Sequence, residues 1–216
     1  MTRFIHTADW QIGKPYLRVK DEHKRFKLRQ ERLTAISRIR EVTRKQESQF
    51  VLIAGDLFDS PTPSSSCITE VLEAIGEMNI PVLVIPGNHD HGALGTVWHT
   101  DDFKKYQKQM APNLMLLLDS QPIEIDDAII FPCPLLRNKD NTDPTDWIRN
   151  LNWESISSTK ARIVLAHGGV HPRTANVSTA RLQNGRLHAM GGDVLAARRY
   201  AHPPVLLVCD YVAFTN

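Results

Sequence analysis

The chain has 216 residues, 42% of them hydrophobic and 23% charged, with a formal net charge of +2 at pH 7. That length suits one sizeable core rather than two full domains, and the balance excludes a disordered chain without indicating a partner. No apolar run nears the roughly 20 residues that span a bilayer, and the scattered Cys67, Cys133 and Cys209 argue for a reducing, cytoplasmic setting rather than disulfides or a cysteine-held zinc.

The N-terminus carries one Arg and no long apolar stretch, so it reads as a strand and not as a secretory signal. That first run, RFIHTA, ends in Asp9, Trp10 and Gln11. A polar, basic segment over 21–46 follows, with Leu28, Ala35, Ile36, Ile39 and Val42 spaced for one helical face. Its Lys and Arg residues suit a solvated face with i,i+4 pairs such as Glu41 and Lys45, or equally a stripe that neutralises phosphates. The run FVLIAG (50–55) leads into GDLFD, with Asp56 and Asp59. SSCITEVLEAIGEM (65–78) has serine caps and ends before Pro81, the pattern of a second amphipathic helix. PVLVIPG (81–87) leads into Asn88, His89, Asp90 and His91. KKYQKQ (104–109) is a short basic patch with one aromatic. NLMLLL (113–118), two closely spaced runs between 121 and 134, and RIVLAHGG (162–169) complete the set.

Short, near-continuous Val/Ile/Leu runs are expected for strands buried on both faces. Strand, helix, strand, helix, strand in that order predicts an α/β domain with right-handed crossovers. The adjacent runs at 121–134 make the sheet mixed. The predicted core covers residues 1–170. Residues 171–216 form an atypical tail without Lys or Glu, in which only PVLLVCDYVAF (204–214) reads as a strand.

The polar residues gather at strand ends: Asp9 and Gln11, then Asp56 and Asp59, then Asn88 to His91, then His167. Ligands of open α/β sheets bind at the carboxyl ends of strands, so these four termini can meet at one point. Any one of them alone has a plain alternative, a turn-capping Asp or a satisfied core histidine. Together, carboxylate, amide and imidazole suit Mn²⁺, Fe²⁺ or Zn²⁺, and a shared carboxylate suits a two-metal phosphoester site. Gly55, Gly87, Gly168 and Gly169 suit backbone passing close to the ions.

With D-W-Q, GDLFD, GNHD and AHGG in this order, residues 1–170 resemble the calcineurin-like metallophosphoesterases. HTADWQIGK, AGDLFDSPTPS and IPVLVIPGNHD make the chain similar, more narrowly, to SbcD-type DNA repair nucleases. The resemblance implies a mixed β-sheet sandwich flanked by helices, and two divalent ions, Mn²⁺ foremost with Fe²⁺, Zn²⁺ or Mg²⁺ as alternatives. It implies that Asp9 and Gln11 bind the first ion, that Asp56 bridges, and that Asn88 and His167 bind the second. His89 would act at the scissile phosphate with Asp90 orienting it, Asp59 would stand behind the ligands, and a hydroxide activated by the two metals would attack phosphorus in line. The implied function is a metal-dependent phosphodiesterase, a DNA exonuclease or endonuclease, whose partners are DNA and an SMC-like ATPase. A phosphoesterase of nucleotides or phosphoproteins and a non-catalytic remnant are the competing readings.

Two departures from the family pattern bear on this. Gln11 stands where Asp-x-His has histidine, and an amide oxygen is a weaker donor for Mn²⁺ or Zn²⁺ than imidazole, so the first ion is expected to bind more loosely. The family's late Gly-x-His motif would begin where CDYVAFTN ends the sequence. The expectation is a shortened or frame-disrupted relative with weakened or absent catalysis, with His171, His188 and His202 the histidines the tail offers.

Overall fold

The computed structural model describes residues 2–138, 142–157 and 159–167, and the backbone of two short strands beyond them. Strands β1 (Phe4–Thr7), β2 (Phe50–Ala54), β3 (Val82–Ile85) and β4 (Leu114–Leu116) form one sheet in that order, every pairing parallel. Helices α1 (Glu22–Lys45), α2 (Ser65–Gly76) and α3 (Asp101–Met110) make the crossovers. Each helix begins at a polar residue whose side chain accepts a backbone N–H: Asp21 from Lys24, Ser64 from Cys67 and Thr100 from Phe103.

The second sheet has the order β5 (Ile123–Ile125), β6 (Ala128–Cys133), β7 (Ala161–Ala166), β9 (Leu206–Val208), β8 (Leu195–Ala196). β5 and β6 form an antiparallel hairpin across Asp126, which takes the left-handed φ of 46° that such a turn requires. β6, β7 and β9 run parallel and β8 antiparallel, so this sheet is mixed while the first is purely parallel. The strand expected in 204–214 is β9, and it pairs with β7.

Side-chain alternation along the strands builds three layers. Phe50, Leu52, Leu83 and Ile85 point from the first sheet onto Ile130, Ile163 and Leu165 of the second. Val51, Ile53, Val82 and Val84 point the other way, under the helices. The outer face of the second sheet is closed by 3₁₀ turns whose Trp147 and Trp153 pack on Phe131.

Two expectations change. Leu28 and Ala35, placed by their spacing on the buried face of α1, are both exposed, Leu28 to 38%. A helix of 24 residues is about 36 Å long, while strands of four or five residues extend only about 13–17 Å, so the first turns of α1 overhang the sheet. The aromatic of the 104–109 patch, Tyr106, packs against the core rather than standing free for a ligand. Among the described residues no helix is long and apolar enough to cross a membrane.

Candidate metal centre

The carboxyl ends of β1, β2, β3 and β7 lie side by side, and the chain turns there through unusual backbone. Gly55 has φ +82° and Asp56 has φ 54°, so two successive left-handed residues reverse the direction of β2. Asp9 (φ 54°) and Gln11 (φ 42°) do the same after β1. Non-glycine residues held there typically cost about 1–3 kcal/mol each, and such strain gathers at functional sites. The β1 loop follows the β2 loop closely. Asp9 N–H donates to the Gly55 carbonyl at 3.2 Å, Gln11 N–H to Asp56 at 2.8 Å and Ile12 N–H to Leu57 at 3.0 Å. From α1, Arg32 donates to the carbonyls of Asp9 and Trp10 at 3.2 and 2.7 Å, tying the loop down.

Gly87 and Gly55 are the close-approach points. A Cβ on Gly87 would stand 2.2 Å from Asp56 Oδ1, and one on Gly55 would stand 2.4 Å from His167 Nδ1. With no side chain at either position, the buried Asp56 (2% exposed) reaches both β3 and β7.

On one side of Asp56, an imidazole nitrogen, an amide oxygen and a carboxylate oxygen converge. His167 Nδ1 donates to the Ala54 carbonyl at 2.8 Å, which fixes the ring and leaves Nε2 as the ligating nitrogen. Nε2 lies 2.7 Å from Asn88 Oδ1 and 3.5 Å from Asp56 Oδ1. Two donor atoms on one small divalent ion, each about 2.1 Å from it, stand about 3 Å apart when adjacent, which these separations bracket. Imidazole nitrogen, amide oxygen and carboxylate oxygen so placed can ligate one ion in place of the hydrogen bond between His167 and Asn88. Among the described residues no three His, Cys, Asp or Glu side chains make a cage by themselves; the third donor here is the Asn88 amide. Asp56, Asn88 and His167 therefore fit a divalent ion.

On the other side of Asp56 the groups are donors. Gln11 Nε2 donates to Asp56 Oδ2 at 3.3 Å, while Gln11 Oε1 accepts from the Lys14 ammonium. Lys14 Nζ is also 3.7 Å from Asp59 Oδ1. His89 spans both sides: its ring Nε2 is 3.9 Å from Asp56 Oδ2, while its backbone N–H donates to Asp56 Oδ1 at 2.9 Å. Asp9 is exposed and contributes a backbone contact to Gly55.

Asp90 is placed differently from its expected role. Its carboxylate accepts from Gly87 N–H at 2.8 Å and Phe58 N–H at 3.0 Å, and its carbonyl accepts from the Trp98 indole. It fastens the β3 loop to the β2 loop above a Phe58–Trp98–Phe103 cluster. Burial pushes its carboxyl up to about 6, against the pull of those two N–H donors. The acid that faces the His89 ring is Asp59, whose carbonyl accepts from Nδ1 at 3.2 Å and whose carboxylate is 3.6 Å away. Lys14 is the site residue that sequence patterns did not bring forward; GDLFD named Asp59, expected behind the ligands, but not its contact with the His89 ring. Gly168, Gly169, His171, His188 and His202 lie outside the described residues.

Beside the β1 loop, a cleft of about 450 Å³ opens between α1 and the start of α2, lined by Lys14, Phe26, Arg29, Arg32 and Ser64 among others. It shares Lys14 with the Asp56 site.

The family model described as calcineurin-like phosphoesterase matches residues 2–209. One crystal structure is similar over 76% of this chain and 68% of its own, at 11% identity and a TM-score of 0.42, too low to carry an argument.

Proposed function

The chain belongs to the calcineurin-like phosphoesterases, hydrolases of phosphoester bonds that generally use two divalent metal ions, and from that premise we propose that it is a metal-dependent phosphodiesterase acting on DNA. The observation that carries the hydrolytic reading is the convergence of His167 Nε2, Asn88 Oδ1 and Asp56 Oδ1 on one point with the imidazole tied back to Ala54. An ion bound there supplies positive charge for the phosphoryl oxygens and activates water. The chain's own residues do the rest. Asp56 sets the site between β2 and β7, Asn88 and His167 fix its geometry, and Gly55 and Gly87 allow the approach. His89, partly exposed and steadied by Asp59, is placed to hydrogen-bond a phosphate or to protonate a leaving oxygen.

DNA as substrate, and the SbcD-type reading with it, draws support from the cleft beside α1. Arg25, Arg38 and Arg40 are engaged by Glu22, Glu31 and Glu77, whereas Arg29 lines the cleft next to Phe26, which is 56% exposed. Arginine beside an exposed ring suits a phosphate next to a stacked base. The cleft's volume also falls within the range for a single small ligand, which favours a nucleotide phosphoester as the second reading. A cytoplasmic location belongs to this reading, drawn from three scattered cysteines in the sequence.

The test is Mn²⁺-dependent hydrolysis of a generic phosphodiester and of single-stranded DNA, with Asp56→Asn and His89→Ala as controls. The reading expects turnover on both substrates, lost in both controls, and DNA affinity that falls with salt. Turnover insensitive to either control, or none on any phosphoester with metal bound, sinks it.

A further inference from the structure

Asp56 divides the site by chemistry. Its Oδ1 accepts the His89 N–H and faces Asn88 Oδ1 and His167 Nε2, and its Oδ2 side meets the side-chain N–H of Gln11. The orientation of the Gln11 amide is set from both ends. Turning it over would place an amide oxygen 3.3 Å from a carboxylate oxygen and an amide N–H₂ against the Lys14 ammonium. Both contacts would be repulsive, so the oxygen that would ligate an ion beside Asp56 Oδ2 is turned away and held by Lys14.

Lys14 is itself fixed. Its backbone N–H closes a tight turn onto the Gln11 carbonyl at 3.2 Å, with Gly13 at φ +91° between them. Its ammonium lies between Gln11 Oε1 and Asp59 Oδ1, the latter at 3.7 Å. Asp59 Oδ1 is buried and makes no hydrogen bond of its own, so the ammonium is its charge partner, with the His89 ring 3.6 Å away. An ammonium and a divalent ion cannot share so small a space without strong repulsion.

We propose that this chain holds a single divalent ion, at Asp56, Asn88 and His167, and that the Lys14 ammonium, positioned by Gln11 and Asp59, stands in place of the second. The proposal rests on the metal-centre reading above. Lys14 then presents a fixed single charge, and an N–H not taken by Gln11, to a phosphate oxygen beside His89. The altered Gln11 is one half of a pair, not a lone weakened ligand.

The experiment is metal titration by calorimetry, with elemental analysis and Mn²⁺ electron paramagnetic resonance, on the full chain. Wild type is compared with Lys14→Met and with Lys14→Met combined with Gln11→His, after thermal melts confirm folding. The expected result is one Mn²⁺ per wild-type chain with the spectrum of an isolated ion. In the double variant a second ion binds at least about tenfold tighter than in wild type, with spin coupling between the two. Two coupled ions in wild type overturn the proposal and leave the phosphoesterase reading standing. One ion in a folded double variant overturns it as well. No ion in wild type removes the metal centre and the proposal together. The wild-type stoichiometry decides even if a variant fails to fold.

Discussion

His89 Nδ1 donates to the carbonyl of Asp59 at 3.2 Å and lies 3.6 Å from its carboxylate, so the acid that steadies this ring comes from the loop after β2 and not from the neighbouring Asp90. The two loops therefore depend on each other: β3 supplies the imidazole and β2 its orientation.

That dependence predicts a hierarchy of defects. His89→Ala should lower turnover by about 10²–10⁴-fold, the range for loss of a positioned proton donor or acceptor. Asp59→Asn keeps the backbone carbonyl and removes the charge, so about 10-fold is expected, the lower end for a residue acting through another. The part of the Asp59 effect that runs through the His89 ring should vanish in the double variant, and any loss beyond that of His89→Ala alone reports its hold on Lys14. Steady-state kinetics on a phosphodiester, with Mn²⁺ stoichiometry held as a control, checks the ranking. Fully additive losses would show that Asp59 does not act through the His89 ring.

Asp90 predicts a pH dependence opposite to that of an ordinary salt-bridged acid. Burial raises its carboxyl from 3.8 to about 6, so the folded chain keeps a proton that the unfolded chain has already released. Its contribution to stability is then greatest at acid pH and falls as pH rises through about 6, by about 3 kcal/mol in all. Asp90→Asn cannot titrate and sets an N–H₂ against the N–H of Gly87 or Phe58, which costs about 1–3 kcal/mol. The wild type's advantage over Asp90→Asn should shrink between about pH 4 and pH 7, measured by urea unfolding of metal-free protein. An advantage that grows with pH would mean the two N–H donors outweigh burial.

Two glycine replacements separate fold from site. Gly95 has φ +85° with nothing within 4 Å of an added Cβ, so Gly95→Ala should cost about 1–2 kcal/mol of backbone strain and leave metal binding unchanged. At Gly87 an added methyl would stand 2.2 Å from Asp56 Oδ1 and 2.4 Å from Asp56 N. Gly87→Ala should cost about 1–3 kcal/mol as overpacking does, and also abolish Mn²⁺ binding, as calorimetry would show. Retained binding would place the ion elsewhere than Asp56.

The strands were legible because β2 and β3, buried on both faces, leave unbroken apolar runs ending in the residues that form the site. Gly-Asp and Gly-Asn-His-Asp could be read for the same reason, since polar residues directly after a buried strand must be used by something. What could not be read is direction. The family resemblance paired Asp90 with His89, but consecutive residues in a turn project apart, and Asp90 points down to Phe58 while His89 points out to Asp59. Lys14 was hidden among the other cations of 14–45, and only the turn at Gly13 singles it out. Leu28 followed helical spacing faithfully, yet periodicity carries no information on where a helix outruns its sheet.

The α1 overhang sets the last prediction, which separates the DNA reading from the small-ligand one. Phe26 and Arg29 sit on its first turns and line the cleft that reaches Lys14. If a single strand lies there, Arg29→Ala should lower the slope of log affinity against log salt by about 1, since one phosphate contact is lost. Phe26→Ala should weaken binding by about 1–3 kcal/mol without changing that slope, because stacking on an exposed ring is uncharged. Fluorescence anisotropy with a labelled oligonucleotide across a salt series measures both, and KM for a chromogenic phosphodiester is the companion measurement. Only a strand long enough to cross from the Asp56 site to the overhang can feel both side chains. Oligonucleotide affinity and salt slope unmoved by either change would assign the cleft to a single nucleotide or to no substrate at all.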